Sequence, residues 1–241
     1  MGSAVGLKLA PGMSLTALEH PRAKVASRRV GIRADAPAKI NLTLEVLGRR
    51  DDGYHELRSL VIGVDLADRV RCRTSPVPGI RLHCDDPALN HGDNLAARAA
   101  RTLAHRCGRE PALRIDLQKR IPVGGGLGGG SSDAATTLRL CDYLWETGLD
   151  TTELAAIGAE LGSDVPLFFS LPSATLEGRG ERVSPVRLRW SGWALLILPP
   201  VVVSTAEVYR AWRPDDSAAF LSGTDGAILR ARASPQVDRF Q

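Results

Sequence analysis

A glycine-rich segment offers the clearest chemistry in this sequence. Residues 121–135, IPVGGGLGGGSSDAA, contain six glycines, and Ser131 and Ser132 stand where the glycines end. A helical pattern of apolar residues follows. Bare backbone N–H groups and the dipole of a helix N-terminus attract an anion, and no Cβ blocks the approach of phosphate oxygens. The segment therefore predicts a phosphate-binding loop rather than a hinge without a ligand.

Two familiar phosphate motifs fit this segment poorly. The P-loop pattern fails because Gly130 stands where that pattern requires a lysine. Gly124, Gly126 and Gly129 have the spacing of the dinucleotide-binding fingerprint. That fingerprint also needs a strand ending in an acidic residue about twenty residues later. Residues 139–150 instead continue a helix and its exit turn, so a Rossmann fold is not favoured.

Composition narrows the class of protein. The chain has 241 residues, of which 44% are hydrophobic and 24% charged, as expected of a soluble globular protein. No apolar stretch is long enough to span a membrane. The net charge of +4 comes without a basic run interleaved with aromatic residues, so no nucleic-acid partner is predicted. The four cysteines lack the spacing of a zinc site, which favours reduced thiols in a cytoplasmic protein.

The elements around the loop alternate between strand and helix patterns. Ile40, Leu42, Leu44 and Val46 alternate with polar residues and predict one face of a half-buried strand. Asp93 is a candidate helix cap. The segments that fit are strands at residues 40–46, 60–64, 69–73 and 113–123, and helices at 95–108, 131–148 and 151–164. The apolar run at 193–203, which Pro199 and Pro200 interrupt, predicts a buried strand that runs into a loop. The mixed order predicts an α+β fold.

The N-terminal residues differ from the rest of the chain. Residues 1–32 are basic, nearly free of acids and without strand or helix periodicity, which predicts a disordered leader. An organellar transit peptide and a start at Met13 are alternatives. The organised part divides into an N-terminal domain at residues 33–171 and a C-terminal domain at residues 172–241.

Residues 122–132, PxxxGLGGGSS in pattern, resemble the phosphate-binding motif of the GHMP kinases. Residues 37–59 and 161–169 resemble the members that phosphorylate a cytidine-diphosphate-linked polyol of the non-mevalonate isoprenoid pathway, and residues 178–183 and 203–209 extend the match. The resemblance implies a two-domain GHMP-kinase-like fold with an N-terminal ATP-binding domain. It further implies ATP as phosphoryl donor and Mg²⁺ carried with the nucleotide, without a protein ligand that can be named.

The same resemblance assigns roles to individual residues. Asp164 corresponds to the catalytic base and Lys39 to a cation beside it. The residues implied for the cytidine-linked substrate are Asn41, Tyr54, His55, Thr205 and Tyr209. Those implied for ATP are Asn94 and Lys119 near the nucleoside, and Pro122, Gly124, Gly125, Gly126, Leu127, Gly128, Gly129, Gly130, Ser131 and Ser132 near the phosphates.

The C-terminal part departs from the family pattern. Members of the family carry a late glycine- and serine-rich loop, and the residues after Trp212 lack one. The departure predicts an incomplete C-terminal domain with exposed apolar surface, in a monomer or a weak homodimer. A nucleotide-binding protein without catalytic activity, and a GHMP kinase for another small alcohol, are the alternatives to a working kinase.

Overall fold

The computed structural model describes residues 3–8, 31–188, 192–198, 208–209, 211–212 and 237–239. The strands are β1 (Ser3–Lys8), β2 (Gly31–Arg49), β3 (His55–Thr74), β4 (Gly79–Cys84), β5 (Ala112–Gln118), β6 (Ser173–Gly178), β7 (Arg182–Leu188), β8 (Trp193–Leu198) and β9 (Val237–Arg239). The helices are α1 (Leu95–Arg106), α2 (Gly129–Trp145) and α3 (Thr151–Leu161), with 3-10 helices at Pro87–Leu89 and Pro166–Phe169. The predicted α+β class is confirmed.

The long strand β3 organises the main sheet. Its strands run in the order β4-β5-β3-β6-β7-β9, and β2 pairs antiparallel with β3 over nearly its whole length. Along the opposite edge, β6 pairs with residues 57–62 and β5 with residues 69–74. An opening is therefore left between β6 and β5, and Asp68 of β3 lies at its border. The glycine-rich loop begins directly after β5 and passes beside this opening.

The helices cover one face of the sheet, and two apolar clusters hold the layers together. Helix α2 packs on β2 and β3, with α1 and α3 beside it. The larger cluster includes Val70, Leu113 and Leu138, all with no exposed surface. A smaller cluster contains Ile121 and Leu127 from the glycine-rich segment. Burial of these two side chains anchors the loop to the sheet while its glycines remain at the surface of the cleft.

Most predicted elements are present, with shifted boundaries. The two segments predicted near residues 60–64 and 69–73 form the single strand β3. Asn94, not Asp93, caps α1, because its Oδ1 accepts a hydrogen bond from the Ala96 N–H at 2.9 Å. Helix α2 begins at Gly129, before the serines, and ends at Trp145 because Glu146 adopts a left-handed conformation, with φ of 51°. Helix α3 begins at Thr151 as predicted but ends at Leu161, so Asp164 lies in the following turn and not in the helix.

The predicted burial of two strands is wrong in part. Leu44 is 52% exposed, because the register of β2 against β3 shifts between Asn41 and Thr43 and breaks the alternation. The apolar run at residues 193–203 predicts a buried strand that runs into a loop, and residues 199–203 of it lie outside the described residues. In β8 every second side chain is exposed instead, and these are Trp193, Leu195 and Ile197. A strand with only one covered face produces this pattern.

The prediction of a disordered leader at residues 1–32 is wrong at two places. Residues 3–8 form β1, which pairs antiparallel with β8 from Ser3–Leu198 to Lys8–Trp193. At the other end of the segment, β2 already begins at Gly31. The partner of β1 lies far away in sequence, so local periodicity carries no signal for this strand. The rest of the predicted leader lies outside the described residues, and the domain boundaries stay predictions.

Two smaller expectations concern the cysteines and the membrane. All four cysteines are free, with Cys72, Cys84 and Cys141 buried and Cys107 exposed. Within the described part of the chain, none of the helices combines the length and the apolar character needed to cross a membrane.

Candidate active site

The glycine-rich loop connects β5 to α2 and is shaped by backbone conformations that favour glycine. Gly124, Gly126 and Gly128 have φ values of 77°, 69° and 71°. At Gly128 a Cβ would also lie 2.7 Å from Cζ of Phe168 and 3.1 Å from Cγ of Lys39. Gly128 is the N-cap of α2 and offers no side-chain acceptor to the first turn. The N–H groups of that turn therefore remain open to an anion.

The loop forms one wall of a cleft of about 270 Å³. Ten of the predicted ATP-binding residues line it, namely Asn94, Lys119, Pro122, Leu127 and the six loop glycines. Ser131 and Ser132 do not line it, and Ser132 is fully buried, with no hydrogen-bond partner for its hydroxyl among the described residues. His91, Asp93 and Asp133 also line the cleft and were not predicted. The cleft is therefore more polar and more acidic than the loop sequence alone indicated.

The Asn94 side chain lines the cleft and also makes two hydrogen bonds within the protein. Its Oδ1 caps α1, and its Nδ2 donates to the Leu89 carbonyl at 3.1 Å. These two bonds fix the side chain at the start of α1. The predicted contact with a nucleoside remains a prediction, since the amide already holds two protein partners.

A buried ion cluster joins the two ends of the glycine-rich loop. The Lys119 ammonium, which is 10% exposed, donates to Oδ2 of Asp133 at 2.7 Å and to Oδ2 of the fully buried Asp68. Oδ1 of Asp68 accepts hydrogen bonds from the backbone N–H groups of Arg120 at 2.5 Å and Ile121 at 2.8 Å. Asp68 thus holds the entry of the loop against β3. No local motif marks Asp68, so sequence reasoning missed it.

Within this cluster the pKa values of Asp133 and Lys119 are shifted. Burial raises the pKa of Asp133 to about 7; the Lys119 charge opposes this rise and the Asp68 charge adds to it. For Lys119, burial acts to lower the pKa, but the Asp133 and Asp68 carboxyls outweigh it and raise the pKa. Lys119 therefore remains a cation, while Asp133 is poised between its two protonation states near neutral pH.

Lys39 and Asp164, the predicted catalytic pair, lie beside the loop. The Lys39 N–H donates to the Leu127 carbonyl at 3.0 Å, which ties β2 to the loop. The Lys39 ammonium donates to Oδ1 of Asn41 at 2.8 Å. Burial lowers the pKa of Lys39, and the Asp164 charge partly offsets that effect, so the two charges are close enough to interact. Asp164 is half-buried in the turn before the 3-10 helix Pro166–Phe169.

The predicted substrate residues form a second, more exposed end of the site. His55 stacks on Tyr209 with ring centroids 5.3 Å apart, and the edge of Trp212 approaches it at 5.4 Å. Tyr54 is 57% exposed, and the Arg179 guanidinium lies 4.8 Å from the centre of its ring. Trp212 was not predicted, although it follows Tyr209 at helical spacing.

Tyr209 and Asn41 connect the two ends of the site. Burial raises the pKa of Tyr209, and the Asp164 charge adds to the rise, so the Tyr209 ring lies within electrostatic reach of Asp164. Nδ2 of Asn41 donates to Oγ of Ser59 at 2.7 Å, while its Oδ1 holds the Lys39 ammonium. Thr205 lies outside the described residues. The structure thus brings Lys39, Asn41 and Asp164 together between the loop and the aromatic rings.

This arrangement suits transfer of a phosphoryl group to a hydroxyl. An open helix N-terminus and bare amides can hold a polyphosphate, and a cation and a carboxylate lie next to it. The aromatic rings offer stacking surfaces at a distance from the loop. Among the described residues, no group of three or more His, Cys, Asp or Glu side chains could hold a metal ion.

Comparisons with known proteins agree with the geometry. Residues 94–170 match the model of the GHMP kinases N-terminal domain. A curated 4-diphosphocytidyl-2-C-methyl-D-erythritol kinase of Pseudomonas aeruginosa (strain LESB58) is 46% identical over 180 residues, which are 75% of this chain and 64% of the relative. The kinase of the same name from Pseudomonas savastanoi pv. phaseolicola is 47% identical over 174 residues, or 72% of this chain and 60% of the relative. The chain thus spans less than two thirds of these relatives.

Solved structures show the same relationship. A crystal structure of 4-(cytidine 5'-diphospho)-2C-methyl-D-erythritol kinase is 40% identical, with a TM-score of 0.65 over 77% of this chain and 66% of that one. Homoserine kinase from Cytophaga hutchinsonii, at 17% identity, has a TM-score of 0.61 over 87% of this chain and 70% of that one, which shows a shared fold only. The glycine-rich loop, the α+β architecture and these matches agree: residues 94–170 match the GHMP kinases N-terminal domain, and about three quarters of the chain is similar to the kinases named here.

Proposed function

We propose that this protein is an ATP-dependent kinase that phosphorylates the 2-hydroxyl of 4-diphosphocytidyl-2-C-methyl-D-erythritol in the non-mevalonate isoprenoid pathway. The observation that carries the proposal is the convergence of Lys39 and Asp164 on the glycine-rich loop, where Lys39 bonds to Leu127 and interacts with the Asp164 charge. The names of the relatives supply the substrate, and the His55 and Tyr209 rings support it because they offer a platform for a nucleobase.

Each end of the site has a task in this reaction. The N–H groups at Gly128 and in the first turn of α2 bind the ATP phosphates. Asp164 accepts the proton of the substrate hydroxyl while its oxygen bonds to the γ-phosphorus and the bond to the bridging oxygen breaks, which releases ADP. The Lys39 ammonium holds the attacking oxygen in place. Mg²⁺ enters with the ATP phosphates as part of the nucleotide substrate and neutralises charge there.

The remaining predicted residues complete the proposal. Asn94 and Lys119 contact the nucleoside of ATP, and Ser131 and Ser132 support the phosphate end. Tyr54, His55 and Tyr209 receive the cytosine ring, Asn41 bonds to the polyol, and Thr205 adds a hydrogen bond to the substrate. We further propose that the protein acts in the cytoplasm as a monomer or a weak homodimer, without a nucleic-acid or membrane partner.

Single-turnover phosphoryl transfer with radiolabelled ATP tests the proposal. We expect the label to appear in the cytidine-linked product, with one ADP formed per product, and not in homoserine or mevalonate supplied at the same concentration. Transfer to another small alcohol in preference to the cytidine-linked polyol would contradict the proposed substrate. ATP binding without any transfer would contradict the proposed activity and favour a nucleotide-binding protein without catalysis.

A further inference from the structure

A buried serine of β3, Ser59, is connected to Lys39 by a series of hydrogen bonds. Ser59 is 2% exposed. Its hydroxyl donates to the Thr43 carbonyl at 2.6 Å, and its Oγ accepts a hydrogen bond from Nδ2 of Asn41 at 2.7 Å. Oδ1 of the same Asn41 amide accepts a hydrogen bond from the Lys39 ammonium at 2.8 Å. The ammonium is therefore linked through Asn41 to a side chain that belongs to the interior of the sheet.

A local irregularity in the sheet accompanies these hydrogen bonds. Asn41 pairs with Val61, but Thr43 pairs with Leu60, so β2 contains one residue more than β3 at this point. A bulge of this kind redirects side chains and is frequent beside active sites. Here the Thr43 carbonyl and the Asn41 amide both reach Oγ of Ser59. The irregularity thus lies where the two strands hold the Asn41 side chain.

The hydrogen bonds have one consistent direction. A carbonyl oxygen only accepts, so the single proton of the Ser59 hydroxyl points to Thr43 and leaves Oγ as an acceptor. The Asn41 atom that faces Oγ must then be the donor Nδ2, which turns Oδ1 toward Lys39. An ammonium only donates, so Lys39 requires the same acceptor. Ser59 and Lys39 therefore specify one and the same orientation of the Asn41 amide.

The orientation of Asn41 matters because Lys39 belongs to the proposed catalytic pair. The Lys39 N–H donates to the Leu127 carbonyl of the loop at 3.0 Å, and its ammonium is close enough to Asp164 for the two charges to interact. A lysine side chain is flexible, so a fixed acceptor is needed to hold the ammonium in one place. An Asn41 amide that is bonded to Ser59 provides this acceptor. A rotated amide would instead turn its donor Nδ2 toward the ammonium and repel it.

We propose that Ser59 is a positioning residue for phosphoryl transfer, which fixes the Asn41 amide and through it holds the Lys39 ammonium beside the glycine-rich loop. The inference rests on the proposed function. Because Ser59 is buried, it acts through Asn41 and not on a substrate. Loss of its hydroxyl should therefore lower the rate of transfer and leave the affinity for both substrates nearly unchanged.

Ser59→Ala tests this, with Ser173→Ala as the matched control. Ser173 of β6 is 4% exposed, and its hydroxyl also donates to a strand carbonyl at 2.6 Å, that of Val186. Both variants lose the same kind of buried hydrogen bond, so their melting temperatures should fall by similar amounts. The single-turnover rate with saturating ATP and cytidine-linked polyol should fall about fivefold in Ser59→Ala, as expected for the loss of one hydrogen bond between neutral groups. It should stay unchanged in Ser173→Ala, and KM for either substrate should change less than about twofold in both variants.

Two further comparisons show whether the effect passes through the amide. In an Asn41→Ala background, Ser59→Ala should cause no additional loss of rate, because the group that it positions is already gone. Ser59→Thr keeps the hydroxyl and should keep the rate, whereas Ser59→Val, of the same shape, should lower it about fivefold. Should Ser59→Ala fail to fold, the threonine and valine variants make the same comparison.

The outcomes separate this inference from the proposed function. An unchanged rate without the Ser59 hydroxyl, an equal loss of rate in Ser173→Ala, or a loss that adds to that of Asn41→Ala overturns the inference and leaves the proposed function standing. Absence of phosphoryl transfer by the unmodified protein overturns both.

Discussion

The two ends of the candidate site present different chemical groups to a ligand. At the loop end, the ligand would meet backbone amides held by buried groups, among them the fully buried Asp68 and an N-cap glycine enclosed by Phe168 and Lys39. At the aromatic end, it would meet side chains that are exposed or held mainly by one another, such as Tyr54 and the stacked pair His55 and Tyr209.

The difference determines how each end tolerates change. At Gly128, which Phe168 and Lys39 enclose, the loop has no room to relax, so a substitution there acts through steric conflict and loss of stability. Each stacked ring at the surface adds a small part of the affinity for the substrate, and the loss of one ring leaves the others in place. We therefore expect substitutions at the loop end to lower stability sharply and substitutions at the aromatic end to weaken substrate binding in small steps. Between the two ends, at Asp164, we expect a substitution to lower only the rate of phosphoryl transfer.

The largest effect is expected between the two ends, at Asp164. Asp164→Asn removes the proposed proton acceptor and should lower the single-turnover rate by about 10²- to 10⁴-fold. ATP affinity and the melting temperature should change little, since Asp164 lies in a turn and not in the core. The neighbouring Ser163→Ala, at an exposed position, is the control and should keep the rate of the unmodified protein. Equal rates for Asp164→Asn and the unmodified protein would remove Asp164 from the mechanism.

The second-largest effect is expected at the loop end, where two glycine variants distinguish steric conflict from backbone strain. Gly128→Ala and Gly126→Ala both place a side chain at positive φ, 71° and 69°. Only at Gly128 does the new Cβ meet Phe168 at 2.7 Å, while at Gly126 it meets no atom within 4 Å. We expect the free energy of unfolding to fall by about 3 kcal/mol for Gly128→Ala and about 1 kcal/mol for Gly126→Ala. Chemical denaturation without nucleotide measures both.

Equal destabilisation of the two glycine variants would mean that backbone strain alone, and not the contact with Phe168, makes glycine necessary at the helix start. The distinction described between the two ends of the site would then lose its steric basis.

The smallest effect is expected at the aromatic end. His55→Ala removes the ring stacked on Tyr209 and should raise KM for the cytidine-linked substrate by about tenfold, with KM for ATP unchanged. Tyr54→Ala should have a weaker effect, because Tyr54 is largely exposed and Arg179 already covers its ring. Steady-state kinetics with each substrate varied in turn measures both. A comparable rise in KM for ATP would show that the two ends are not independent.

Much of the loop end was predictable from the sequence, because its determinants are local. Glycines at positions 124, 126 and 128 adopt the positive φ values for which glycine is suited, and a helix follows them. The helix at residues 151–161 carries its own start signal, a capping box between Asp150 and Glu153. Patterns of this kind act within a few residues of one another, so the chain specifies them before any long-range contact forms.

The contacts that hold this loop in place are determined only by the tertiary structure. Asp68 is 51 residues from Lys119 and 52 from Arg120, and the two segments meet because β3 loses its neighbouring strand at the opening beside the loop. The exposure of Leu44 depends on a register shift against β3, and β1 exists as a strand because β8 lies beside it. Each of these features arises from pairing between distant segments. The burial of a side chain, its hydrogen-bond partners and the charges around it are fixed only once these distant segments pair. Residue types and their spacing therefore do not predict them.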